Sequence, residues 1–236
     1  MNIIIIANGQ FPSSRQVLDL LEDADRVICC DGAFESFFRW SRHQSVDTTK
    51  RVEVVGDGDS LTDEVLEDAR CAGMDVSFEQ VSEQESNDLS KAVRHAVGQC
   101  DRALCGEDEI RVDILGATGL REDHTLGNIS LLACYSTQYP HVAFRMVSDY
   151  GVFLPVRGQR RFTTYAGQQV SIFSFTPDVP VSIRGLRYPI EERRLAWLWE
   201  GTLNEALGDT FEVRGGTMVV YLEGAEVGET VGNAPA

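Results

Sequence analysis

The sequence has little positive charge. Its 21 Lys and Arg residues face 37 Asp and Glu residues, which gives a formal net charge of -16 at pH 7. Because nucleic-acid backbones are held by clustered Lys and Arg, this deficit argues against a nucleic-acid-binding protein. A single nucleotide remains compatible with it, since a metal ion and a few basic groups can meet its charge locally.

Long apolar runs and a cysteine framework are also missing. No apolar stretch approaches the length of a transmembrane helix, and the apolar N-terminus, residues 1–7, is too short for a signal peptide and lacks its basic region. The six cysteines show no CxxC spacing, so buried, reduced thiols are expected rather than disulfides or zinc. A hydrophobic fraction of 43% completes the pattern of a soluble, cytoplasmic protein of one or two domains.

Over its first 150 residues the chain alternates strand and helix patterns. Apolar runs of strand length lie at residues 3–7, 25–30, 52–55, 74–78, 111–116 and 142–147. Helical patterns separate them, among them residues 61–72 and 125–135. This alternation predicts an α/β domain, residues 1–150, with an open, mostly parallel sheet and helices on both faces. Ligands of such sheets lie beyond the carboxyl ends of the strands.

After about residue 150 the pattern changes to short, often alternating apolar runs between turn residues. These runs lie at residues 152–154, 159–164, 169–175, 179–183 and 218–222. No long helical pattern interrupts them. Residues 151–236 are therefore predicted to form a second domain, an antiparallel β-sandwich or barrel.

The segment Gly56-Asp-Gly-Asp-Ser60 places two carboxylates, Asp57 and Asp59, at the carboxyl end of the third predicted strand. Its glycines leave room for a ligand to approach closely, and Mg²⁺ prefers oxygen ligands of this kind. The alternative is an acidic turn that leads into a helix. Polar or glycine residues also end the other strands: Asn8-Gly9, Asp31-Gly32 and residues 116–123. Their recurrence favours the metal site.

A second acidic pair, Glu85 and Asp88, lies three residues apart around a predicted helix start, so both side chains can address one point. The helix dipole also favours acidic residues there without any metal, which is the alternative. Lys91 lies on the same helical face, where it can neutralise phosphate or simply pair with Asp88.

The loop that begins at Gly116 and Gly119 can bring backbone amides to phosphate oxygens. It matches neither the Walker pattern nor the dinucleotide fingerprint. Arg121 offers a forked donor suited to phosphate. Asp123 and His124 can bind a metal, position a hydroxyl group or accept a proton, although a histidine is equally often a structural hydrogen-bonding group.

Three aromatic residues mark the C-terminal region. Trp197 and Trp199 alternate, so in a strand both would face one side, with core packing as the expected role. Tyr188 precedes Pro189 in a predicted loop, where it can stack on a flat heterocycle. Asn204 can then hydrogen-bond a ring nitrogen or an amine.

Taken in order, these motifs resemble thiamine pyrophosphokinases. Seven segments carry the resemblance over nearly the whole chain: residues 8–9, 31–33, 56–60, 85–91, 116–128, 185–188 and 201–204. The chain departs from the family at five positions. It has Glu85 where the family commonly has Asp, and Ala117 and Thr118 where the family often has a Gly pair. It has Tyr188 in place of Trp and Leu203 in place of Ser. The resemblance implies an α/β domain followed by a β domain, and a homodimer with thiamine near the subunit interface.

The activity implied by the resemblance is transfer of pyrophosphate from ATP to the hydroxyl of thiamine, which gives thiamine diphosphate and AMP with Mg²⁺ as cofactor. The expected metal ligands are Asp57, Asp59, Glu85 and Asp88. The expected catalytic residues are Asp57, Asp59, Asp88, Lys91, Arg121 and Asp123. The expected nucleotide-binding residues are Asn8, Gly9, Asp31, Gly32, Ser60, Gly116, Thr118, Gly119, Arg121 and His124. The expected thiamine-binding residues are Asn128, Tyr188, Thr202 and Asn204.

Two other functions fit parts of the sequence. A Mg²⁺-dependent phosphohydrolase would use Asp57 as a phosphorylated nucleophile, but chains of that type begin with the nucleophile strand, whereas here it is the third. A non-catalytic sensor would bind the nucleotide or thiamine without turnover.

Overall fold

The computed structural model describes residues 1–43, 51–83, 85–100 and 110–224. The chain divides into two compact units, Met1–Thr125 with His141–Ala143 and Leu126–Pro140 with Phe144–Ala236. Residues 126–140 belong to the second unit and residues 141–143 to the first, so the units do not divide at residue 150. The division into domains 1–150 and 151–236 remains a prediction.

The first unit alternates strands and helices. Its elements are β1 (Asn2–Ile6), α1 (Arg15–Glu22), β2 (Arg26–Cys30), α2 (Ala33–Ser41), β3 (Val52–Gly56), α3 (Asp63–Cys71), β4 (Val76–Gln80), α4 (Asp88–Gly98) and β5 (Ile110–Leu115). All neighbouring strands pair in parallel, in the order β4-β3-β2-β1-β5. The predicted parallel α/β sheet is confirmed.

The central strands of this sheet are apolar along their whole length because both of their faces are buried. Four consecutive isoleucines, Ile3 to Ile6, are at most 1% exposed in β1. Each such side chain stabilises the fold by about 1.5–3 kcal/mol relative to leaving it in water. Continuous β-branched runs are typical of buried parallel strands. Glu53 in β3 is a charged exception, only 6% exposed.

Helix caps place the two helices that flank the acidic segments. Thr62 accepts a hydrogen bond from the Val65 amide, so α3 begins after it, two residues later than the sequence pattern predicted. The side chain of Asn87 accepts a bond of 2.9 Å from the Ser90 amide, so α4 begins at Asp88. The cap at Asn87 therefore puts Asp88 in the first turn of its helix.

The second unit is antiparallel. The helix α5 (Glu122–Gln138) leads into it, and its strands are β6 (Val142–Ser148), β7 (Gly151–Thr163), β8 (Gln169–Ser174), β9 (Val181–Arg184), β10 (Ile190–Arg193), β11 (Asn204–Glu205) and β12 (Thr210–Glu223). A 3₁₀ turn, Leu198–Gly201, precedes β11. The strand pairs β6–β7, β7–β12, β8–β12, β9–β12, β9–β10 and β8–β11 are all antiparallel. The predicted antiparallel β region is confirmed.

Two strands are longer than the sequence pattern predicted. β7 joins the two apolar runs at residues 152–154 and 159–164, and β12 extends eight residues before the run at 218–222. The register of β12 shifts between Arg214 and Thr217, and its first half pairs with β9 whereas its second half pairs with β8. A Cβ on Gly216 would lie 2.0 Å from the Thr176 hydroxyl, so only glycine fits this bulge.

Among the described residues, no helix is both long and apolar enough to cross a membrane.

Candidate active site

The carboxyl ends of β1, β2 and β3 meet closely, as expected for parallel strands. A Cβ on Gly32 would lie 2.7 Å from Asn8 Nδ2 and 3.1 Å from the Ser60 Cβ. A Cβ on Gly56 would lie 2.6 Å from the Cβ of Asp31. The position of Gly56 therefore requires glycine, since the Asp31 Cβ cannot move away without its backbone, whereas at Gly32 the side chains of Asn8 and Ser60 would have to shift. The small residues allow the polar residues of three strand ends to lie side by side.

Lys91 links the DxD segment to α4. Its ammonium Nζ lies 3.0 Å from Asp88 Oδ1 and 3.4 Å from Asp57 Oδ2, and its side chain is only 2% exposed. Burial alone would lower the pKa of Lys91, but the hydrogen bond and charge of Asp88, with those of Asp57, outweigh burial and raise it. Lys91 is therefore a permanent cation between two predicted metal ligands, and one of only two lysines in the chain.

Asp59 completes the DxD segment on its solvent side. Its amide donates to Asp57 Oδ1 at 3.3 Å, and its own side chain is exposed. Gly58 between them has a φ of 88°, which favours glycine. Gln80, which the sequence analysis missed, donates from Nε2 to the Asp57 carbonyl at 3.2 Å and so holds this loop to the end of β4.

Asp31 is the most buried carboxylate of this group, at 2% exposure. Its Oδ2 accepts a bond of 3.0 Å from the Ser60 amide, whereas its Oδ1 is buried without a hydrogen-bond partner in the part of the chain that the structure describes. Burial raises the pKa of Asp31, and the nearby charges of Asp88, Asp57 and Asp59 raise it further. A cation would relieve this crowding of negative charge.

The carboxylates of Asp31, Asp57, Asp59 and Asp88 fit Mg²⁺, which takes oxygen ligands and favours carboxylates. Oδ1 of Asp31 has no hydrogen-bond partner among the described residues, so this buried oxygen would be free to accept a cation. Within the described residues, however, no three His, Cys, Asp or Glu side chains already surround one point as a metal site does. The described carboxylates suit the ion chemically, and Lys91 bridges two of them in the structure.

Glu85, the fourth predicted metal ligand, is exposed and lies in the loop before α4, three residues ahead of its first turn. That loop is organised instead by Glu83, which sequence reasoning missed. The Glu83 carboxylate accepts bonds from the Ser86 hydroxyl, the Glu85 and Ser86 amides, and Arg94. The Ser86 hydroxyl bond, with the Glu85 amide and Arg94, lowers the pKa of Glu83 to about 2.

The two glycine loops after β1 and β5 are hydrogen-bonded to each other. The Gly9 amide donates to the Gly116 carbonyl at 2.7 Å, and the Gln10 amide donates to the Thr118 carbonyl at 2.9 Å. A Cβ on Gly9 would lie 2.4 Å from the Gly116 carbonyl oxygen. The Gly9 amide is thus engaged within the protein, and this glycine serves loop packing at the point where the strand order reverses.

Arg121 and Asp123 form an exposed ion pair at the start of α5. Arg121 Nη2 lies 2.6 Å from Asp123 Oδ2, and both side chains are about two-thirds exposed. The Arg121 hydrogen bond lowers the pKa of Asp123 to about 2. The Thr125 amide and hydroxyl both donate to the Arg121 carbonyl, which fixes the helix start. His124 is exposed on the first turn.

In the second unit, Asn204 holds the loop that carries Tyr188. Its Oδ1 accepts from the Tyr188 amide at 3.0 Å, and its Nδ2 donates to the Tyr188 carbonyl at 2.8 Å. Asn204 itself is 4% exposed, whereas Tyr188 is 62% exposed. The pairing presents the tyrosine ring to solvent and gives the buried amide a structural role that the sequence analysis did not foresee.

The core-packing role predicted for Trp197 and Trp199 is wrong. Trp197 precedes a 3₁₀ turn and Trp199 lies within it, so they do not alternate along a strand, and they are 69% and 71% exposed. The Thr202 hydroxyl donates to the Trp199 carbonyl at 2.7 Å and caps this turn. Asn128, the remaining residue expected to contact thiamine, is buried on α5.

Two family models match the chain. The model of the thiamin pyrophosphokinase catalytic domain matches residues 17–143, more than half of the chain. The chain belongs to the thiamin pyrophosphokinase family. A second model, the substrate-binding domain of the same family, matches residues 151–221. Both models confirm the enzyme class expected from the motifs and give the phosphohydrolase alternative no support.

Solved structures share the fold at low sequence identity. A thiamin pyrophosphokinase from Candida albicans superposes with a TM-score of 0.76 at 18% identity, over 94% of this chain and 89% of that chain. The yeast enzyme gives 0.77 at 14% identity, over 94% and 86%. The Bacillus subtilis enzyme gives 0.70 at 20% identity, over 94% and 99%. A search of curated proteins found no match.

Proposed function

We propose that this protein transfers an intact pyrophosphoryl group from MgATP to the hydroxyethyl oxygen of thiamine, with release of AMP. The observation that supports this most strongly is a group of four neighbouring aspartates, two of which also contact the buried Lys91: Asp31, Asp59, Asp57 and Asp88, the last two being the partners of the lysine. Such a group has the charge and the oxygen ligands needed to hold a metal-bound polyphosphate.

The Mg²⁺ ion would be held by Asp57, Asp59, Asp88 and Asp31. Glu85 has the weakest support as a ligand, because its side chain is exposed in the loop before α4. Bound there, the ion would neutralise charge on the phosphate oxygens. Lys91 is positioned to add a second positive charge beside Asp57 and Asp88. Since phosphoryl transfer depends mainly on positioning and charge stabilisation, these residues supply most of the catalysis.

Arg121 would contact the phosphates from the exposed start of α5. It is paired with Asp123, so binding of a polyphosphate would exchange one anionic partner for another. The nucleotide would be lined by residues of the strand-end loops and the start of α5: Asn8, Gly32, Ser60, Gly116, Thr118, Gly119 and His124. Gly9 would act by holding the β1 and β5 loops together.

We propose that Asp123 is not the residue that accepts the thiamine proton. Arg121 holds the pKa of Asp123 at about 2, which makes that carboxylate a weak base at neutral pH.

In the second unit, Tyr188 would stack on a ring of thiamine. Its exposed ring and its fixed backbone suit a stacking role, because little conformational freedom is lost on binding. Asn204 and Thr202 would contribute by fixing the Tyr188 loop and the Trp199 turn, and Asn128 would contribute from α5. We further propose a cytoplasmic homodimer, in which exposed residues such as Trp197 and Trp199 would become covered.

The decisive experiment is to incubate the purified protein with thiamine, ATP and MgCl₂ and to identify the products. Equal amounts of AMP and thiamine diphosphate are expected. ADP with thiamine monophosphate would contradict pyrophosphoryl transfer. Free phosphate would indicate a hydrolase, and calorimetric binding of both ligands without turnover would indicate a sensor.

A further inference from the structure

A second charged cluster lies outside the proposed active site, and the reaction does not use it. Arg26 in β2 donates from Nε to Glu53 Oε1 at 2.9 Å and from Nη2 to Glu53 Oε2 at 3.0 Å. His95 Nε2 in α4 lies 2.8 Å from the same Oε2. We call Arg26, Glu53 and His95 the clamp cluster. Their side chains are 19%, 8% and 12% exposed, so the cluster is largely shielded from water.

The clamp cluster fixes α4 to the sheet by more than one contact. Besides its fork to Glu53, Arg26 donates to the Ala96 carbonyl in the last turns of α4 at 3.4 Å and to the Gln99 side chain at 3.1 Å. A cation at this end of a helix also interacts favourably with the helix dipole. One guanidinium therefore joins β2, β3 and the C-terminal half of α4.

The clamp cluster and the proposed active site share the same two elements. Lys91 and His95 are four residues apart in α4 and therefore lie on one face of the helix. Both reach carboxylates of the β3 segment: Lys91 reaches Asp57, and His95 reaches Glu53. Since Glu53 and Asp57 are also four residues apart, α4 is tied to β3 at two points along its length.

We propose that the clamp cluster is a positioning device for the metal site, which holds Asp88 and Lys91 of α4 at a fixed distance from Asp57. The inference rests on the proposed function, because it assigns the Mg²⁺ site to Asp57 and Asp88. The Lys91 link alone cannot fix this distance, since a flexible lysine side chain accommodates a shifted helix. The forked Arg26–Glu53 pair is rigid and sets the helix position.

The test compares Glu53→Gln and His95→Leu with the wild-type protein. In Glu53→Gln an amide replaces the carboxylate that Arg26 and His95 share. In His95→Leu the bond between α4 and Glu53 is lost, while the bonds from Arg26 to Ala96 and Gln99 remain. Both variants should bind Mn²⁺ about tenfold more weakly than the wild type. This affinity is measured by electron paramagnetic resonance in the absence of substrates. The Mg²⁺ concentration for half-maximal thiamine diphosphate formation should rise similarly, while kcat at saturating Mg²⁺ stays within about threefold of wild type.

Two further variants separate positioning from simple loss of stability. His95→Gln keeps an N–H donor that can reach Glu53, so it should recover most of the Mn²⁺ affinity. Leu66→Ala removes a buried side chain of α3, which lowers the unfolding temperature without touching the clamp cluster. Its Mn²⁺ affinity should equal that of the wild type.

The proposal is overturned if Glu53→Gln and His95→Leu lose stability but keep wild-type Mn²⁺ affinity, or if the wild type binds no Mn²⁺. It is supported if both variants lose Mn²⁺ affinity and Leu66→Ala does not. A wild-type protein that binds Mn²⁺ but forms no thiamine diphosphate would contradict the proposed function alone, and the Mn²⁺ comparison would still decide the role of the clamp cluster.

Discussion

The two charged groups beside β3 differ in their balance of charge. In the group proposed to bind Mg²⁺, four carboxylates accompany one ammonium group, that of Lys91, which contacts two of them. In the clamp cluster, one carboxylate meets a guanidinium and an imidazole. The pKa values of one carboxylate in each group, Asp31 and Glu53, move in opposite directions. Burial and neighbouring aspartates raise the pKa of Asp31. Burial also acts to raise the pKa of Glu53, but hydrogen bonds from His95 and Arg26 outweigh it and lower the value.

This difference separates a group that stabilises the fold from one that is organised for a ligand. A buried carboxylate with matched donors stays ionised and contributes to stability. A crowded set of carboxylates opposes folding until a cation joins it, so binding of that cation is coupled to stability. The same sheet therefore holds one charge group that is complete and one that we infer to be completed by Mg²⁺.

The largest effect should come from removing a proposed metal ligand. Asp57→Asn and Asp59→Asn should each lower the rate of thiamine diphosphate formation by about 1,000-fold, because preorganised charge stabilisation is lost. Stability should stay equal or rise in Asp59→Asn, since negative charge is removed from a crowded group, whereas it should fall in Asp57→Asn, because the buried Lys91 loses one of its two anionic partners. The rate is followed by chromatography of thiamine diphosphate, and stability by thermal unfolding.

Asp63→Asn is the matched control, because Asp63 is an exposed aspartate only four residues beyond Asp59 at the start of α3. Its activity should be that of the wild type. Near-normal activity of both Asp57→Asn and Asp59→Asn would show that this group does not hold the metal.

Asp31→Asn should separate stability from activity. The substitution removes a buried charge from the crowded group while keeping an oxygen that can accept the Ser60 amide. Without Mg²⁺, the free energy of unfolding should rise by about 1 kcal/mol, whereas activity should fall by about 100-fold. Urea denaturation measures the first effect. A clear loss of stability would mean that Asp31 is not under electrostatic stress.

Lys91→Met should make stability depend more strongly on metal. Removing the ammonium leaves Asp57 and Asp88 without their shared cation, which should lower the free energy of unfolding by about 2 kcal/mol, less than for a fully buried pair because Asp88 is 38% exposed. MgCl₂ should restore more stability to this variant than it adds to the wild type. Equal Mg²⁺ effects on both proteins, measured by urea denaturation, would contradict the inference.

The sequence predicted those parts of the site that follow from the direction of parallel strands. Asn8, Asp31 and Asp57 each follow an apolar strand, so their proximity needs only the rule that the carboxyl ends of parallel strands share one edge. The helix start near Asp88 was predicted as well, and the cap that forms it, Asn87, follows from the local preference of asparagine for the N-cap position.

Contacts between distant segments could not be predicted in this way. Glu53 interrupts an apolar strand in the sequence, and nothing nearby indicates that Arg26 and His95 surround it, 27 and 42 residues away. Trp197 and Trp199 have the spacing of a strand, but the chain forms a 3₁₀ turn directly after Trp197. The Glu200 side chain stabilises the start of this turn by accepting from the Trp197 amide at 2.8 Å. Periodicity alone does not contain this bond.

The smallest predicted effect is a pH dependence of the clamp cluster. The pKa of Glu53 in the folded protein lies below its ordinary value of 4.5, so its contribution to stability is present above pH 4.5 and is lost as pH falls through the folded value. Glu53→Gln has no such contribution. The free energy of unfolding of the wild type should therefore exceed that of the variant by about 1 kcal/mol at pH 7, and the difference should shrink as the pH falls from 5 to about 3.

Urea denaturation at each pH measures both curves, with the exposed Glu35→Gln as the control because the Glu35–Arg39 pair is largely solvated. A difference that stays constant over this range would mean that the ionisation of Glu53 does not stabilise the folded state, because a constant loss reflects only altered packing.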